Sequence, residues 1–260
     1  MDENSDALMP VLFIGHGNPM NALEDNEFSR AWEMVGRSLT KPDVILCISA
    51  HWETDGTLVS AMERPETIHD FWGFPDELYQ VRYPAPGSPK LAERLCSSIK
   101  SKKIQASFDW GLDHGSWSFL NRMFPSANVP VVQLSLDRNA KPRDHFDLGV
   151  ELRPLRSERI LIVGSGNIVH NLGMISWQKS AYEWAEAFDA SIKRLIEQRD
   201  FNALVEYQRL GENVKRAIPT NEHFLPLLYV LAVSRTGDQV DFFSEIVTFG
   251  SLSMRCVRFS

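Results

Sequence analysis

The sequence predicts an α/β protein, a single domain with a central, mostly parallel (mixed) sheet and helices on both of its faces. Four short runs rich in Val, Ile and Leu have the length of strands, at residues 11–15, 44–49, 129–135 and 160–164. Few polar residues alternate within these runs, which is typical of strands covered on both faces. Patterns with helical spacing lie between them, and strands that alternate with helices indicate a parallel sheet.

Helical periodicity supports the layers on either side of this sheet. Residues 25–38 and 182–197 carry apolar side chains at helical spacing. Ser88 can cap another helix, because Pro89 then takes the first helical position, where its missing N–H is not needed. Thr220 could cap a fourth, leucine-rich helix.

Two segments differ from this regular alternation. Near the C-terminus, Leu252, Met254 and Cys256 alternate with polar residues, which predicts a half-exposed, antiparallel strand. Residues 63–88 are rich in proline and aromatic residues and predict a long ordered loop, a kind of segment that often has a function.

The chain shows no internal repeat and no composition shift that would mark a boundary. We therefore expect one catalytic domain over residues 1–260, with residues 1–9 flexible. The sequence leaves the oligomeric state open.

Composition and charge exclude several classes of protein. The 260 residues are 43% hydrophobic and 10% aromatic, which is enough for a sizeable core. The net charge is −7 and no basic stripe is present, so we expect no nucleic-acid partner. The three cysteines are far apart and form neither a disulfide framework nor a metal-type pair. No apolar run reaches the roughly 20 residues of a membrane span, and the acidic N-terminus is unlike a signal peptide, so we expect a cytoplasmic protein without a membrane partner.

Histidines at the ends of the apolar runs are the strongest functional signal. His16 and His51 directly follow the first two runs, and His170 follows the fourth after a Gly-Ser-Gly-Asn turn. His223 stands three residues after Thr220, in the first turn of the helix expected there. Imidazole is the commonest metal ligand near neutral pH, and neighbouring strand ends about 4.8 Å apart can hold one ion. The pattern predicts a histidine-rich divalent-metal centre at the carboxyl ends of the strands.

The remaining polar candidates are less clearly placed. Glu222 is a carboxylate alternative to His223, but its side chain would be rotated by about 100° around the helix, so we prefer the histidine. His114 lies between two glycines and could donate a proton or bind an anionic substrate oxygen. His69, in the proline-rich segment, could line a pocket or pack against its aromatic neighbours. We expect His145 on the surface of a helix.

Seven stretches carry a resemblance to a known family. They are Gly15-His16-Gly17-Asn18-Pro19-Met20, Ser49-Ala50-His51-Trp52, Thr67-Ile68-His69-Asp70-Phe71, Tyr83-Pro84-Ala85-Pro86-Gly87, Leu112-Asp113-His114-Gly115-Ser116-Trp117, Gly164-Ser165-Gly166-Asn167 with Val169-His170-Asn171-Leu172, and Glu222-His223-Phe224-Leu225-Pro226-Leu227. Together they resemble the DODA-type extradiol aromatic ring-opening dioxygenases, and more closely the bacterial 4,5-DOPA extradiol branch. The resemblance implies a central mixed sheet, one divalent metal ion, and cleavage of a catechol such as 4,5-DOPA with O2.

The resemblance also implies roles by position. His16, His51 and His223 would be the main metal ligands. His170 would be a fourth ligand or a nearby acid/base, and His114 would act in catalysis at the catechol oxygens. Substrate contacts are expected from His69, Asn18 and Ser165. Asn18 departs from the small hydroxyl residue that the pattern leads us to expect.

The identity of the metal stays open between Fe2+ and Zn2+. Many non-haem iron oxygenases use two histidines and one carboxylate, whereas this set offers only histidines. Such a set also suits zinc, which has no redox chemistry. A zinc hydrolase, in which a metal-bound water attacks an ester or amide, and a non-catalytic metal-binding protein are therefore alternatives.

Overall fold

The computed structural model describes residues 8–177 and 181–260. Its strands are β1 (Val11–Gly15), β2 (Val44–Thr54), β3 (Thr57–Ser60), β4 (Ile104–Ser107), β5 (Val131–Asp137), β6 (Ile160–Gly166), β7 (Val240–Phe243), β8 (Val247–Thr248), β9 (Leu252–Ser253) and β10 (Cys256–Phe259). Its α-helices are α1 (Glu27–Ser38), α2 (Asp76–Tyr79), α3 (Pro89–Ser98), α4 (His114–Met123), α5 (Pro142–Leu152), α6 (Glu183–Glu197), α7 (Phe201–Val205), α8 (Val214–Ala217) and α9 (Leu225–Val233). Short 3-10 helices cover Pro19–Ala22, Arg153–Glu158, Leu172–Met174 and Tyr207–Arg209.

One eight-stranded sheet has the order β4-β3-β5-β2-β6-β1-β10-β7. Its centre, β5-β2-β6-β1, is parallel throughout. The antiparallel pairs lie toward the edges, where β10 joins β1 to β7 and β3 pairs with β5. The predicted α/β class with a mostly parallel, mixed sheet is confirmed, and the two-residue strands β8 and β9 form a separate small ladder.

Alternate residues of the central strands feed two cores, one on each face of the sheet. Val11 and Phe13 of β1 belong to the core that is closed by α5, α6 and α9. Leu12 and Ile14 point to the opposite core, which is closed by α1 and α4. Every residue of α9 is buried, which agrees with its lack of a polar face. This double covering explains why the strands read as continuous apolar runs.

The structure corrects the expected start of the leucine-rich helix. Helix α9 begins at Leu225, with Phe224 at the capping position, and Thr220 lies in the irregular segment before it. Pro226 falls in the first turn of α9, where proline is well tolerated because the N–H groups there have no partner within the helix. The Ser88 cap and its following proline are found as expected, since the Ser88 hydroxyl accepts the backbone N–H of Leu91.

The C-terminal segment forms two short antiparallel strands, β9 and β10, rather than the one strand expected over 252–256, and the expectation that it is half-exposed is wrong. Ser253 and Arg255 are buried together with the apolar residues between which they alternate. The Arg255 guanidinium pairs with Asp189 on α6 at 2.5 Å. This ion pair compensates the buried charge of Arg255, which the alternating pattern predicts to be exposed.

The N-terminal segment lies partly outside the described residues. Flexibility is expected for residues 1–9, of which 1–7 are not described. Met9 is buried, and its backbone N–H donates to the carbonyl of Arg156 at 2.9 Å. Within residues 8–177 and 181–260, no helix combines the length and the apolarity that crossing a membrane requires.

Candidate metal centre

His16 leaves the sheet directly after β1 and is held in one orientation. It is 2% exposed, and its Nδ1 lies 2.9 Å from the hydroxyl of Ser165 at the end of β6. The other ring nitrogen, Nε2, faces Nε2 of His51 at 3.1 Å. Anchoring through Nδ1 therefore leaves Nε2 as the atom that His16 offers to the site.

The strands that carry His16 and His51 are not neighbours, which corrects the sequence-based expectation. Strand β6 lies between β1 and β2, so the two strand axes are roughly 9–10 Å apart. His51 also lies inside β2 rather than after it, in the stretch between Ile48 and Glu53 where the pairing with β5 is interrupted. The two imidazoles meet because both lie just beyond the end of β6, since Gly15 is in register with Gly166 and Ser49 with Ser165.

Gly166, at the end of β6, positions His223. A Cβ atom on Gly166 would lie 2.1 Å from the backbone oxygen of His223, so only glycine permits this approach. The next residue, Asn167, donates its backbone N–H to that same oxygen at 2.9 Å. His223 lies in the turn that precedes α9 rather than in a first helical turn, and this turn is fixed against the end of β6.

The three histidines converge on one point. Ring centroids are 4.9 Å apart for His16 and His51, 5.0 Å for His51 and His223, and 5.3 Å for His16 and His223. His170 stacks on the ring of His223, with centroids 3.4 Å apart and planes inclined by 6°. His114 completes the group, with its ring 3.9 Å from that of His51. All five histidines that we predicted as ligands or acid/base groups thus meet in one site.

Among residues 8–177 and 181–260, two sets of three residues offer ligand atoms that lie within 4.8 Å of one another. One set is His16, His51 and His114, and the other is His170, Glu222 and His223. Glu222 does not lie on a helix face, and its Oε1 is 3.1 Å from Nδ1 of His223. The site therefore contains a carboxylate beside the histidines, which the all-histidine interpretation of the sequence did not include. Because Glu222 contacts Nδ1 of His223, Nε2 is the ring nitrogen that His223 has left to offer as a ligand.

Burial controls the charge of these imidazoles. Desolvation lowers the pKa of His16, His51 and His223 well below the ordinary value, and the neighbouring histidines lower it further. Burial, followed by the charge of His114, lowers the pKa of His170 to about 4. The rings are therefore neutral at pH 7, and a neutral imidazole keeps a lone pair for a cation.

The donor atoms fit a divalent ion. The buried Nε2 of His223 has no hydrogen-bond partner among the described residues, a costly state for a polar atom. Nε2 of His16 and Nε2 of His51 are 3.1 Å apart. Ligands at about 2.0–2.1 Å from a tetrahedral ion are separated by roughly 3.3–3.4 Å, so a small adjustment of the rings accommodates one.

Asp70 lies in the site and was not among the residues predicted from the sequence. Its Oδ1 accepts the backbone N–H of His114 and its Oδ2 lies against Nδ1 of that ring, both at 2.9 Å. Burial raises the pKa of Asp70, but the hydrogen bonds and charge of His114, together with the charge of His51, hold it below the ordinary value. The only signal in the sequence is its place beside His69 in one of the family-like stretches.

Asp113 was missed as well. It caps α4 through the backbone N–H of Ser116, accepts the Ser49 hydroxyl at 2.8 Å, and accepts the Gln133 amide at 2.7 Å. Burial, and then the charge of Asp70, raises its pKa to about 6. This carboxyl group ties β2 and β5 to the helix that begins at His114.

The three expected substrate contacts have different outcomes. Asn18 lines the cavity in front of the histidines, and its side-chain oxygen accepts the Met20 N–H. Ser165 is buried behind His16 and contacts that ring rather than the cavity. His69 lies behind the cavity wall, where its Nε2 is 3.1 Å from the carbonyl of Val81.

His145 is not the surface residue that we expected. It is 2% exposed, and its Nδ1 is 3.0 Å from the hydroxyl of Tyr229 on α9. Burial lowers its pKa to about 4. The helical period predicts which residues of α5 share a face with His145. Only the tertiary structure shows that this face packs against α9.

A cavity of about 490 Å³ opens in front of the histidines. Its floor carries the imidazoles, Asp70 and Glu222, and its walls are mostly apolar, including Phe71 and Phe74. A polar cluster at the base of an apolar pocket of this size is typical of a small-molecule site. The lining includes the residues that follow β1, His51 of β2, the first residue of α4 and the turn before α9, so distant parts of the chain build it.

Comparison with known proteins agrees with this geometry. A family model described as the catalytic LigB subunit of aromatic ring-opening dioxygenase matches residues 11–259. The chain is 45% identical to 4,5-DOPA dioxygenase extradiol of Escherichia coli (strain K12), over 98% of this chain and 96% of that protein. It is 34% identical to 4,5-DOPA dioxygenase extradiol of Beta vulgaris, over 99% and 98% of the two chains.

A solved structure shows the same fold. The crystal structure of an uncharacterized protein from Escherichia coli K12 matches with a TM-score of 0.84 and 41% identity, over 97% of this chain and 100% of that one. The resemblance inferred from the seven stretches is confirmed, and the hydrolase and the non-catalytic alternatives are not favoured. The chain belongs to the family of the catalytic LigB subunit of aromatic ring-opening dioxygenases and is a metal-dependent extradiol dioxygenase.

Proposed function

We propose that this enzyme holds one divalent ion through His16, His51 and His223 and opens the ring of a catechol such as 4,5-DOPA with O2. The observation that carries the proposal is the convergence of three neutral imidazoles, one with a buried and unpartnered Nε2 among the described residues, at the base of an open cavity. The relatives that bear the name 4,5-DOPA dioxygenase extradiol support this choice of substrate.

The histidines bind and orient. Ser165 and Glu222 fix His16 and His223 through their Nδ1 atoms, which directs both Nε2 atoms toward the shared point. His170 lies against the face of His223 and is a fourth ligand or an acid/base group at the cavity floor. When bound, a divalent ion supplies Lewis acidity toward the two diol oxygens and, as Fe2+, the redox chemistry that O2 requires.

His114 moves a proton. Asp70 engages its Nδ1, so Nε2 is the nitrogen left to accept a proton from a diol hydroxyl. The His114 ring contacts the ring of His51 and the ring of Phe71 in the cavity wall. It therefore lies beside the proposed ion site and still lines the cavity. General base help of this kind is worth about 10²–10⁴ in rate.

Fe2+ is the ion that we propose for ring cleavage. Zinc fits the same donors but has no redox chemistry, so a zinc form would bind substrate and leave O2 unreacted. Glu222 brings a carboxylate close to His170 and His223. This site is therefore closer in composition to iron sites of two histidines and one carboxylate than a site of histidines alone would be.

The test is anaerobic loading with Fe2+ followed by 4,5-DOPA and O2. We expect a yellow ring-opened semialdehyde, uptake of one O2 per product, and no product from the zinc-loaded protein. An iron-loaded protein that cleaves none of several catechols would refute the proposal. Ester or amide hydrolysis by the zinc form in the same preparation would favour the hydrolase instead.

A further inference from the structure

A second cavity, of about 850 Å³, lies away from the metal centre. The C-terminal part of α9, the 3-10 helix Arg153–Glu158 and the first residue of α7 contribute to its lining. It shares no lining residue with the cavity in front of the histidines. Helix α9 begins two residues after His223 and extends for roughly 13 Å to Val233. The second cavity and the metal centre therefore lie toward opposite ends of α9.

Three half-buried arginines, Arg153, Arg199 and Arg235, line this second cavity. In the part of the chain that the structure describes, their guanidinium groups make five hydrogen bonds, all to uncharged oxygen atoms. The acceptors are the carbonyls of Ala232, Arg235 and Asp238 and the hydroxyl of Ser157. Each guanidinium has five N–H donors, so most of the donors of the three side chains are free.

The contacts also show that the three arginines are neighbours. Arg199 donates through Nη1 to the carbonyl of Arg235 at 3.0 Å. The side chain of Arg235 in turn lies 3.3 Å from the hydroxyl of Ser157, in the 3-10 helix that begins at Arg153. Arg153 donates to the carbonyl of Ala232, three residues before Arg235 in the chain. The cavity thus collects positive charge from three segments.

This positive charge is not neutralised by the protein. Among the described residues that line the cavity, Glu158 is the only carboxylate, and both of its oxygens are engaged by Arg94. The carboxylate of Asp238, next to this group, pairs with the buried Arg156. The chain as a whole has a net charge of −7, so unpaired arginines are not a general consequence of its composition. A cleft lined by one sign of charge concentrates ions of the opposite sign.

The chemistry of the lining favours a phosphate with an organic part. Guanidinium groups present N–H donors in pairs that match phosphate or carboxylate oxygens. A phosphate monoester has three acceptor oxygens and nearly two negative charges, which can engage several guanidiniums at once, whereas one carboxylate has two oxygens and a single charge. A cavity of about 850 Å³ has room for more than the phosphate itself.

The apolar part of the lining adjoins the arginines. Phe201 and Leu231 line the same cavity. The ring of Phe201 lies 6.4 Å from that of Phe259, and the guanidinium of Arg199 lies 5.6 Å from the centre of the Phe259 ring. An aromatic surface and a free guanidinium are therefore within reach of one small molecule.

We propose that this cavity is a second binding site, which takes a phosphate monoester of a small apolar molecule. Arg153, Arg199 and Arg235 hold the phosphate, and the organic part lies against Phe201 and Leu231. The site is separate from the proposed catechol cleavage and needs neither the metal ion nor the histidines.

The experiment measures by calorimetry the binding of phenyl phosphate, inorganic phosphate and benzoate to the metal-loaded protein. We expect phenyl phosphate to bind at one site per chain, roughly 3- to 10-fold more tightly than inorganic phosphate, the size of one aromatic contact. Benzoate, with the same ring but one negative charge, should bind at least tenfold more weakly than phenyl phosphate. R199Q and R235Q should each weaken phenyl phosphate binding by about 10- to 100-fold, since each removes a charged hydrogen-bond donor.

Two controls locate the site. R64Q removes the same charge from an exposed arginine outside the cavity, and we expect wild-type affinity. H16A should also bind phenyl phosphate as the wild type does, and loss of binding in H16A would assign the phosphate to the metal centre and overturn the inference.

The side chain of Arg235 contacts only the Ser157 hydroxyl among the described residues, so R235Q should fold and cleave catechol at the wild-type rate. Wild-type protein without saturable binding of phenyl phosphate, R235Q that binds it as the wild type does, or tighter binding of benzoate would each overturn the inference. None of these results bears on ring cleavage, which is measured separately.

Discussion

Replacing Asp70 by Asn tests the proposed base most directly. In the native site, Asp70 accepts the backbone N–H of His114 through Oδ1 and contacts Nδ1 of the ring through Oδ2, both at 2.9 Å. The amide of D70N keeps the shape but loses the charge. With its oxygen retained on the backbone N–H, its NH2 group would face Nδ1, which favours the imidazole tautomer that carries its proton on Nε2. Nε2 is then no longer free to take a proton from the diol.

The size of the effect follows from that one contact. A hydrogen bond to a charged group contributes about 1.5–3 kcal/mol, and each 1.36 kcal/mol in the barrier is tenfold in rate, so kcat should fall roughly 10- to 150-fold. Metal retention should be close to that of the wild type. The only proposed ligand near the carboxylate is His51, whose Nδ1 lies at 3.5 Å, too far for a strong hydrogen bond.

The assay measures initial rates of product formation and metal content per chain in D70N, E222Q and D109N. Glu222 holds Nδ1 of His223 at 3.1 Å, so E222Q should weaken metal affinity by about 10- to 100-fold. Asp109 is exposed, and D109N should change neither quantity. D70N with wild-type turnover, or with the same metal loss as E222Q, would refute the separate roles that we assign to the two carboxylates.

Three further predictions concern binding, packing and pH. H16A should abolish metal retention, measured as metal per chain after gel filtration, and retention of a full equivalent would remove His16 from the ligand set. G166A should lower the free energy of unfolding, measured by urea denaturation, by about 1–3 kcal/mol, since the new Cβ would lie 2.1 Å from the backbone oxygen of His223. G237A is the control, because a Cβ at that position would have nothing within 4 Å. His145 has its pKa lowered to about 4 by burial, so below pH 6.5 the unfolded chain binds the extra proton. The free energy of unfolding is therefore highest above pH 6.5, where His145 is neutral in both states. It falls by about 3 kcal/mol in all as the pH is lowered from 6.5 toward 4. Urea midpoints of H145Q should depend less on pH in this window, and an unchanged dependence would show that His145 is not the group responsible.

Much of the site could be predicted because its histidines follow apolar strand patterns. His16, His51 and His170 are recognisable from their positions after such runs, and the glycines of β6 are recognisable as places of close backbone approach. What the pattern could not give is strand order. The pattern favours adjacent strands for His16 and His51, whereas β6 separates β1 from β2. Pairing order is set by crossover connections and packing over the whole sheet, which no local window contains.

The partners of the histidines were harder still to find. Asp70 and Asp113 reach the site from segments with no regular pattern, and their roles depend on contacts of 2.7–2.9 Å across the fold. His145 and Arg255 are buried although the sequence pattern favours exposure for both, because a period tells which residues share a face and not which face is covered.

The sequence by itself determined the α/β class, the family and the identity of the five histidines, since apolar periodicity and short motifs are local properties of the chain. Only the tertiary structure decided that β6 lies between the strands that lead to His16 and His51, that carboxylates contact His114 and His223, and that apolar side chains line the cavity in front of them. These facts depend on distances between residues far apart in sequence, and such distances exist only once both faces of the sheet are packed.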